Sequence, residues 1–322
     1  MKLFNRDKEI NQIIHILEGE PNFIYFIYGP INSGKSTLLR EIIVNRIDNS
    51  KYIPFFIDFR TRNVLNVDNF IECLFEVDEN PFTNDFREYA KSLANILIDS
   101  SEEISKYYIG TPIKIPKLFF KSIFDKNDKS GDVYQYLEYL FVKLNEKGKT
   151  PILIFDELQM IKEITTNGSS PLLKSLFQFL VAITKVQHIC HCLCLTSDSL
   201  FAEYVYNTGE LEGRAKYLLI DDFNKQTSLN FIDFLNNELM TNKVLTNEDK
   251  ERIYNLVGGK PYDIYNVIDN LRYDNLDNIL DRLLKIECSK LKKLLIRIKN
   301  NNFENINYNE IIKTLSQFKN NY

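Results

Sequence analysis

Short apolar runs alternate with stretches of helical periodicity in the first two thirds of the chain. The runs are rich in β-branched and aromatic residues, so each predicts a strand that is buried on both faces. Pro54, inside the second run, favours an edge position for that strand. Strands that alternate with helices predict an α/β fold, a parallel sheet with helices on both faces. The five runs are Phe23–Tyr28, Tyr52–Asp58, Pro151–Phe155, Ile189–Thr196 and Tyr217–Ile220.

Helical periodicity fills most of the intervening sequence. One helix is predicted from Lys35 to about Ile47, and another over Pro171–Lys185. The region between about Val67 and Lys149 shows several helical patterns, interrupted by a turn-rich break at Lys126–Gly131.

The pattern changes after Asp222, where the apolar runs stop and helical periodicity continues alone. We therefore predict an α/β domain over residues 1–221, an all-helical domain over residues 222–299 and a tail over residues 300–322. The tail has one amphipathic patch after an Asn-rich linker. The helices predicted before the tail are Asn224–Glu238, Asn247–Val257, Pro261–Leu271 and about Leu276–Lys299.

A glycine-rich turn separates the first predicted strand from the first long helix. Residues 29–36 read Gly-Pro-Ile-Asn-Ser-Gly-Lys-Ser and match the phosphate-binding P-loop pattern G-x-x-x-x-G-K-[ST] in full. Backbone N–H groups in such a loop wrap the β-phosphate, and the helix N-terminus adds partial positive charge. We expect Lys35 to neutralise phosphate oxygens and the Ser36 hydroxyl to bind Mg²⁺. The residues expected to contact the nucleotide, which we interpret as ATP, are Gly29, Pro30, Asn32, Ser33, Gly34, Lys35, Ser36 and Thr37.

Two acidic residues follow the third predicted strand directly. A buried carboxylate at the carboxyl end of a strand is unfavourable unless it is paired or binds a metal, and this end of an α/β sheet is where ligands bind. We expect Asp156 to hold Mg²⁺, and Glu157 to act as the catalytic base that polarises the attacking water. The alternative is a solvated strand end. Gln159 either orients water or senses the γ-phosphate, or it is a plain surface amide.

Composition and charge favour an ordinary globular protein over a membrane protein or a strongly basic nucleic-acid-binding protein. The 322-residue chain is 44% hydrophobic and 26% charged, as in ordinary globular proteins, and its net charge of −4 gives no overall signal for nucleic acid or membrane. No apolar run approaches the roughly 20 residues of a membrane span, and no signal peptide is recognisable. Five cysteines without a framework spacing indicate a reducing compartment, so we expect a cytoplasmic protein.

Five motifs in a fixed order resemble the archaeal-type ATPases, which are AAA+-related P-loop proteins close to the signal-transducing (STAND) NTPases. The resemblance covers residues 1 to about 290 and implies a P-loop sheet of order 5-1-4-3-2 with a C-terminal helical lid. It also implies an Mg²⁺-dependent ATPase in which ATP closes the lid. The motifs are residues 4–9 (FNRDKE), the P-loop, residues 153–159 (LIFDELQ), residues 213–215 (GRA) and residues 258–261 (GGKP).

The resemblance assigns further residues to the nucleotide. Phe4, Asn5 and Arg6 would lie over the adenine, and Thr196 would read the γ-phosphate as sensor 1. Arg214 would stabilise charge on the γ-phosphate, in its own subunit or in a neighbour's. Pro261 would pack near the base.

Each of these assignments has a structural alternative. Phe4 can belong to the core and Arg6 to the surface, Arg214 can be solvated, and Pro261 can simply start a helix. At the predicted sensor position, the alternative is a helix cap by Ser197 or Asp198.

The last predicted helix is strongly basic between Arg282 and Lys299, with seven basic residues and one acid. We interpret its apolar stripe as core and its basic face as solvated; nucleic-acid or acidic-partner binding is the alternative. DNA is thus a weakly supported partner. An unknown protein partner and a homo-oligomer remain open. Relatives of the resembled family often continue into a winged-helix domain, and fewer residues follow Lys299 than such a domain needs, so we expect residues 300–322 to be a tail or a truncated remnant of that domain. The stripe consists of Leu284, Leu291, Leu294, Leu295 and Ile298.

Overall fold

A computed structural model describes most of the chain. The described residues are 3–48, 50–60, 64–78, 113–116, 129–166, 170–241, 243–300 and 308–318. The chain divides into two compact units, Met1–Asp222 and Phe223–Tyr322. Every described strand belongs to the first unit, and the second unit is helical in its described residues.

The first unit contains six α-helices and nine strands among its described residues. A 3₁₀ turn at Leu158–Ile161 follows β5, and a π-helical turn at Ala182–Val186 extends α5. The helices are α1 Asp7–Glu18, α2 Lys35–Asn45, α3 Val67–Leu74, α4 Lys129–Glu146, α5 Leu172–Val181 and α6 Ser199–Asn207. The strands are β1 Ile24–Tyr28, β2 Tyr52–Asp58, β3 Phe75–Asp78, β4 Ile113–Pro116, β5 Thr150–Asp156, β6 Thr165–Thr166, β7 Ser170–Pro171, β8 His191–Thr196 and β9 Ala215–Leu219.

Five of these strands form one fully parallel sheet in the order β2-β5-β8-β1-β9. Strand β1 therefore lies between β8 and β9, and β2 lies at the opposite edge of the sheet from β9. The edge position of β2, predicted from Pro54, is confirmed. The register places Tyr28 beside Thr196 and Asp58 beside Asp156. Because the strands are parallel, their carboxyl ends meet along one edge of the sheet.

Apolar side chains cover both faces of this sheet, as expected for buried parallel strands. Alternate residues of β1 enter different clusters: Phe26 packs with Phe155 on one face, and Ile27 packs with Ile154 on the other. The first cluster includes side chains of α3, α4 and α5, and the second includes side chains of α1 and α2. The predicted α/β class with helices on both faces is confirmed.

Between Val67 and Lys149 the prediction of several helical patterns missed two strands. Strands β3 and β4 pair in parallel as a separate two-stranded sheet. Each has four residues, which is too short for periodicity to separate strand from helix. The predicted break at Lys126–Gly131 is also wrong in part, since α4 begins at Lys129; residues 126–128 lie outside the described residues.

Four helices of the second unit bury apolar side chains, among them Phe231, Ile253, Ile264 and Ile279. Thr246 and Asp249 form a reciprocal capping box at the start of α8, and Pro261 occupies the first turn of α9. Among the described helices of the chain, none is long and apolar enough to cross a membrane. The helices are α7 Lys225–Glu238, α8 Asn247–Val257, α9 Pro261–Asn270, α10 Leu276–Asn300 and α11 Tyr308–Phe318.

The apolar stripe of α10 departs from the sequence-based interpretation. Ile279 and Leu280, in the first turns, are buried. Farther along, Leu284, Leu291 and Leu294 are 50%, 44% and 53% exposed, so the interpretation of this stripe as core is wrong for the described part of the chain.

Candidate nucleotide-binding site

The P-loop lies between β1 and α2, at the carboxyl edge of the main sheet. Gly34, at the start of α2, has a left-handed backbone (φ 95°), a conformation that glycine adopts without strain. The Lys35 ammonium donates to the carbonyl oxygens of Gly29 at 2.9 Å and Pro30 at 2.8 Å. Burial lowers the pKa of Lys35, and the carboxylates of Glu157 and Asp156 act in the opposite direction. The loop thus holds a buried cation beside two acids.

Close packing explains why residue 29 is a glycine. A Cβ on Gly29 would lie 2.1 Å from the carbonyl oxygen of Ile220, the residue that follows β9. The Ile220 N–H also donates to the Tyr28 carbonyl at 2.8 Å, which fixes the chain after β9 against the loop entry. The shape of the P-loop therefore depends on this backbone approach.

Asp156 and Ser36 meet at the end of β5. The Ser36 hydroxyl donates to Asp156 Oδ2 at 2.6 Å. Burial raises the pKa of the Asp156 carboxyl, while the Ser36 hydrogen bond lowers it. The two residues predicted to bind the metal, Ser36 and Asp156, are thus in direct contact, and their side-chain oxygen atoms lie side by side.

Glu157 is buried and accepts hydrogen bonds on both carboxylate oxygens. The Arg60 guanidinium donates to Oε1, while the Ser197 hydroxyl (2.7 Å) and the Gln159 amide donate to Oε2. The Glu157 backbone has φ 59°, an unusual left-handed conformation for a residue with a side chain, of the kind found at functional sites. The predicted base is therefore held in place by three donors.

Thr196 joins the same network. Its hydroxyl donates to Gln159 Oε1 at 2.8 Å, and it accepts from the Asp198 backbone N–H at 3.1 Å. Asp198 caps α6 by accepting from the N–H groups of Leu200 and Phe201. The cap alternative thus holds for Asp198, while the hydroxyls of Thr196 and Ser197 both reach the network around Glu157.

Arg60 is a site residue that our sequence analysis missed. Its Nη2 also lies 4.0 Å from Asp156 Oδ1. The Phe59 N–H extends the β2–β5 ladder by donating to the Asp156 carbonyl, and the Arg60 N–H donates to Asp58 Oδ1. These bonds place Arg60 beside the acidic pair. The signal was available, because Arg60 follows a predicted strand whose carboxyl end had to reach the same edge of the sheet.

The N-terminal segment lies against the P-loop and α2. Arg6 is buried, and its Nη2 donates to the carbonyl oxygens of Ser33 (3.1 Å) and Asp221 (2.6 Å). Phe4 and Asn5 line a cavity of about 610 Å³ together with Thr37 of α2. This volume is in the range of ligand pockets. The alternative of a surface charge is wrong for Arg6, which is buried, while Phe4 is half-buried and borders the cavity, so its contact with adenine stays a prediction.

Arg214 is not at this site. It precedes β9, and its carbonyl accepts from the N–H of Ile24 at the start of β1. The exposed guanidinium contacts only the Glu210 carbonyl, at 3.5 Å, among the described residues. Five residues of β9 separate it from the carboxyl edge, about 16 Å at strand rise. The predicted contact with the γ-phosphate of its own subunit is therefore wrong, and only the assignment to a neighbour's site stays open.

Pro261 has a structural role within the helical unit. It is buried at the start of α9, and Gly259 packs so closely on Phe223 that a Cβ would lie 1.7 Å from the Phe223 carbonyl oxygen. Packing and helix initiation thus explain the Gly-Lys-Pro sequence. A contact between Pro261 and the base stays a prediction.

The parallel sheet, the P-loop and the acidic pair define a P-loop α/β protein of the nucleotide-binding class. The family of ATPase domains found predominantly in Archaea matches residues 3–267. The chain therefore belongs to this family, as its motifs indicate.

Relatives of similar sequence agree with this assignment, and solved structures share the fold. Two uncharacterized ATP-binding proteins of Methanocaldococcus jannaschii are 66% and 65% identical to the chain, and each alignment covers 100% of the chain and 88% of the relative. The Walker-type ATPase PABY2304 of Pyrococcus abyssi has a similar fold, with a TM-score of 0.58 at 19% identity over 92% of this chain and 76% of that one. The ORC2 protein of Aeropyrum pernix gives a TM-score of 0.50 at 13% identity, over 88% and 69%.

Proposed function

We propose that this protein binds ATP and hydrolyses it in an Mg²⁺-dependent reaction. One observation carries the proposal: two residues of the P-loop, Lys35 and Ser36, lie beside the acidic pair Asp156 and Glu157 at the carboxyl edge of a parallel sheet. This edge is where α/β sheets bind ligands. The ATP-binding names of the close relatives support the choice of nucleotide.

The phosphates of ATP would lie in the P-loop and the base in the cavity beside it. Lys35 would leave the carbonyl oxygens that it now contacts and donate to phosphate oxygens. The base would enter the space between the N-terminal segment and α2, near Phe4, Asn5 and Thr37. Arg6 would hold that segment against the loop through the Ser33 carbonyl.

The Ser36 hydroxyl and the Asp156 carboxylate suit Mg²⁺. They are hard oxygen donors 2.6 Å apart, and Mg²⁺ is commonly held by one or two protein oxygens together with waters and phosphate oxygens. When bound, Mg²⁺ would neutralise charge on the β- and γ-phosphates.

Glu157 would accept the proton of the attacking water. Three protein donors engage its two carboxylate oxygens, and the departure of one of them would open the carboxylate further to the attacking water. Arg60 is the donor best suited to move, because its side chain is 56% exposed. Its guanidinium would then be available to the γ-phosphate as a cation of the same chain.

The helical unit would act as a lid that responds to the nucleotide. Its sequence starts at Phe223, four residues after the end of β9. Movement of this unit on ATP binding is the mechanical output that we propose.

The engaged carboxylate of Glu157 also favours a second candidate, a nucleotide-gated switch with little basal turnover. In that case ATP would hold one conformation for a protein partner. Purification with unhydrolysed ATP bound would favour the switch, and multiple turnovers by the protein alone would favour the ATPase.

Two substitutions test the assignment of roles. Glu157→Gln should bind ATP and lose turnover by about 10²-fold or more, because the general base is gone. Lys35→Ala should lose ATP affinity. Binding would be followed by calorimetry and turnover by phosphate release, with the exposed Glu163→Gln as the matched control. Equal turnover in Glu157→Gln and wild type would remove Glu157 as the base, and absence of ATP binding by the wild type would overturn the proposed function.

A further inference from the structure

Helix α10 extends beyond the core of the helical unit. Its first turns are anchored by buried Ile279 and Leu280. From Leu284 onward, residues are exposed or partly exposed up to Lys299 among those that the structure describes. The exposed part spans 16 residues, about 24 Å of helix.

Apolar side chains follow one another along this exposed part at intervals of four and three residues. At about 100° per residue, these intervals keep them within one narrow stripe. In heptad notation they occupy successive d and a positions, the pattern of a seam between two helices. The seam consists of Leu284, Cys288, Leu291, Leu295 and Ile298.

Three lysines follow one side of this seam at intervals of seven residues. Lys285, Lys292 and Lys299 each come directly after a d residue and therefore occupy e positions, where side chains select the partner of a helix. None of the three has an ion-pair partner among the described residues. In contrast, Lys290 on the other side is paired with Glu287 at 2.6 Å. The seam is thus flanked by an unpaired row of positive charge.

This charge pattern disfavours a second copy of α10 as the occupant. In an antiparallel pair, the e positions of the two helices face each other and would bring the lysine rows together. In a parallel pair, e faces g, and the g positions are Glu287 and Leu294, which supply one acid for three lysines. Like charges across an interface are strongly unfavourable.

The composition of α10 also favours a protein partner over a membrane surface or DNA. Residues 276–300 include no aromatic residue, whereas helices on a membrane surface typically carry Trp or Phe on the apolar face. DNA would use the lysines and arginines and leave the seam exposed to water. A narrow aliphatic seam instead fits the apolar stripe of another helix.

We infer that α10 docks an amphipathic helix of a partner protein, with aliphatic residues in the shared seam and acidic residues facing Lys285, Lys292 and Lys299. This inference does not depend on nucleotide hydrolysis. The partner helix would bury the three exposed seam residues Leu284, Cys288 and Leu291 and pair the lysine row.

The test uses the full chain and two labelled synthetic helices. Both peptides have Leu at a and d over three heptads; one has Glu at e and g, and the other has Lys there. Fluorescence anisotropy should detect binding of the Glu peptide, weakening with salt, and no binding of the Lys peptide. Equal binding of both peptides, or of neither, would overturn the inference.

Charge-matched variants locate the binding face. The double variant Lys285→Glu/Lys292→Glu should bind the Glu peptide about tenfold more weakly or worse, and it should acquire binding of the Lys peptide, because the sign of the charged row is reversed. Lys293→Glu/Arg297→Glu makes the same change in net charge on the opposite face and should leave both affinities unchanged. Equal effects of the two double variants would show non-specific attraction and refute the seam.

The remaining outcomes concern the apolar seam and rival occupants. Leu291→Ser should weaken binding of the Glu peptide. It should leave the melting curve of the protein unchanged, because Leu291 is exposed. Sedimentation that shows a dimer lost in Leu291→Ser would assign the seam to a second copy and overturn the inference. Tighter binding to anionic vesicles or duplex DNA than to the Glu peptide, lost in Lys285→Glu/Lys292→Glu, would also overturn it.

Discussion

Arg60 and Glu157 form an ion pair at the carboxyl edge of the sheet, although 97 residues separate them along the chain. The pair exists because β2 and β5 are neighbours in register, so the residues that follow them face each other. It places an arginine next to the acidic pair, within 4.0 Å of Asp156.

Arg60→Ala should reduce the preference for ATP over ADP. A charge-assisted hydrogen bond to the γ-phosphate has no counterpart in ADP, so affinity for a non-hydrolysable ATP analogue should fall about tenfold or more while ADP affinity stays unchanged. Calorimetric titration of both nucleotides measures the ratio. Arg60→Lys, which keeps the charge without the two-pronged guanidinium, should lie between wild type and Arg60→Ala. An equal loss for ATP and ADP would refute a contact with the γ-phosphate.

Arg214→Ala should bind ATP like the wild type in dilute monomeric solution. Its guanidinium is exposed at the amino edge of the sheet, about 16 Å of strand away from the P-loop edge. The same titration should be repeated at protein concentrations where the chain self-associates, because a loss confined to those conditions would place Arg214 in a neighbour's site. Weaker binding by the dilute monomer would contradict the position described for Arg214.

Gly29→Ala should destabilise the protein by about 3 kcal/mol or more, because backbone must move to relieve the contact with the Ile220 carbonyl. The free energy of unfolding from urea titration at neutral pH measures this. Gly209→Ala is the matched control: its φ of 67° is also left-handed, but a Cβ there meets no atom within 4 Å. The control should lose only about 1 kcal/mol. Similar losses for both variants would show that crowding at Gly29 is unimportant.

Acid should destabilise the first unit through His191. Burial lowers the pKa of this histidine to about 4, and its Nε2 has no hydrogen-bond partner among the described residues. Between pH 6.5 and 4 the unfolded chain takes up a proton that the folded chain resists. The free energy of unfolding should therefore fall as the pH drops through this window, by about 3 kcal/mol in total.

The control for this pH dependence is a second histidine. His191→Gln should flatten the difference in unfolding free energy between pH 7 and pH 4.5, while the exposed His15→Gln should leave it unchanged. Denaturant titrations at both pH values provide the comparison. The same slope in His191→Gln and wild type would exclude this histidine as its cause.

The parts of the fold that local pattern determines could be predicted from the sequence. Continuous apolar runs such as residues 23–28 marked the strands of the main sheet, and the glycine and lysine of the P-loop marked the turn that follows. Asp156 was recognised because a carboxylate at the end of a buried strand needs a partner, and Ser36 supplies a hydrogen bond to it.

The rest depends on relationships between distant parts of the chain. Arg60 becomes a site residue only once β2 lies beside β5, and Arg214 is excluded from its own site only because it precedes its strand instead of following it. Strands β3 and β4 pair across more than 30 residues, with no periodicity to announce them. The sequence shows that the stripe of α10 is apolar, but it does not show whether other residues bury that stripe.

Lys35 holds the P-loop through hydrogen bonds to the loop's own backbone. Because its ammonium donates to the carbonyl oxygens of Gly29 and Pro30, the proposed binding of a nucleotide would be an exchange of acceptors, in which phosphate oxygens replace peptide oxygens around one cation. These bonds would preserve the curvature of the loop between one nucleotide and the next, so that little chain entropy would be lost at each binding event. The net affinity would then report the difference between two sets of hydrogen bonds, and a nucleotide that presents fewer phosphate oxygens would compete less well with the protein's own backbone.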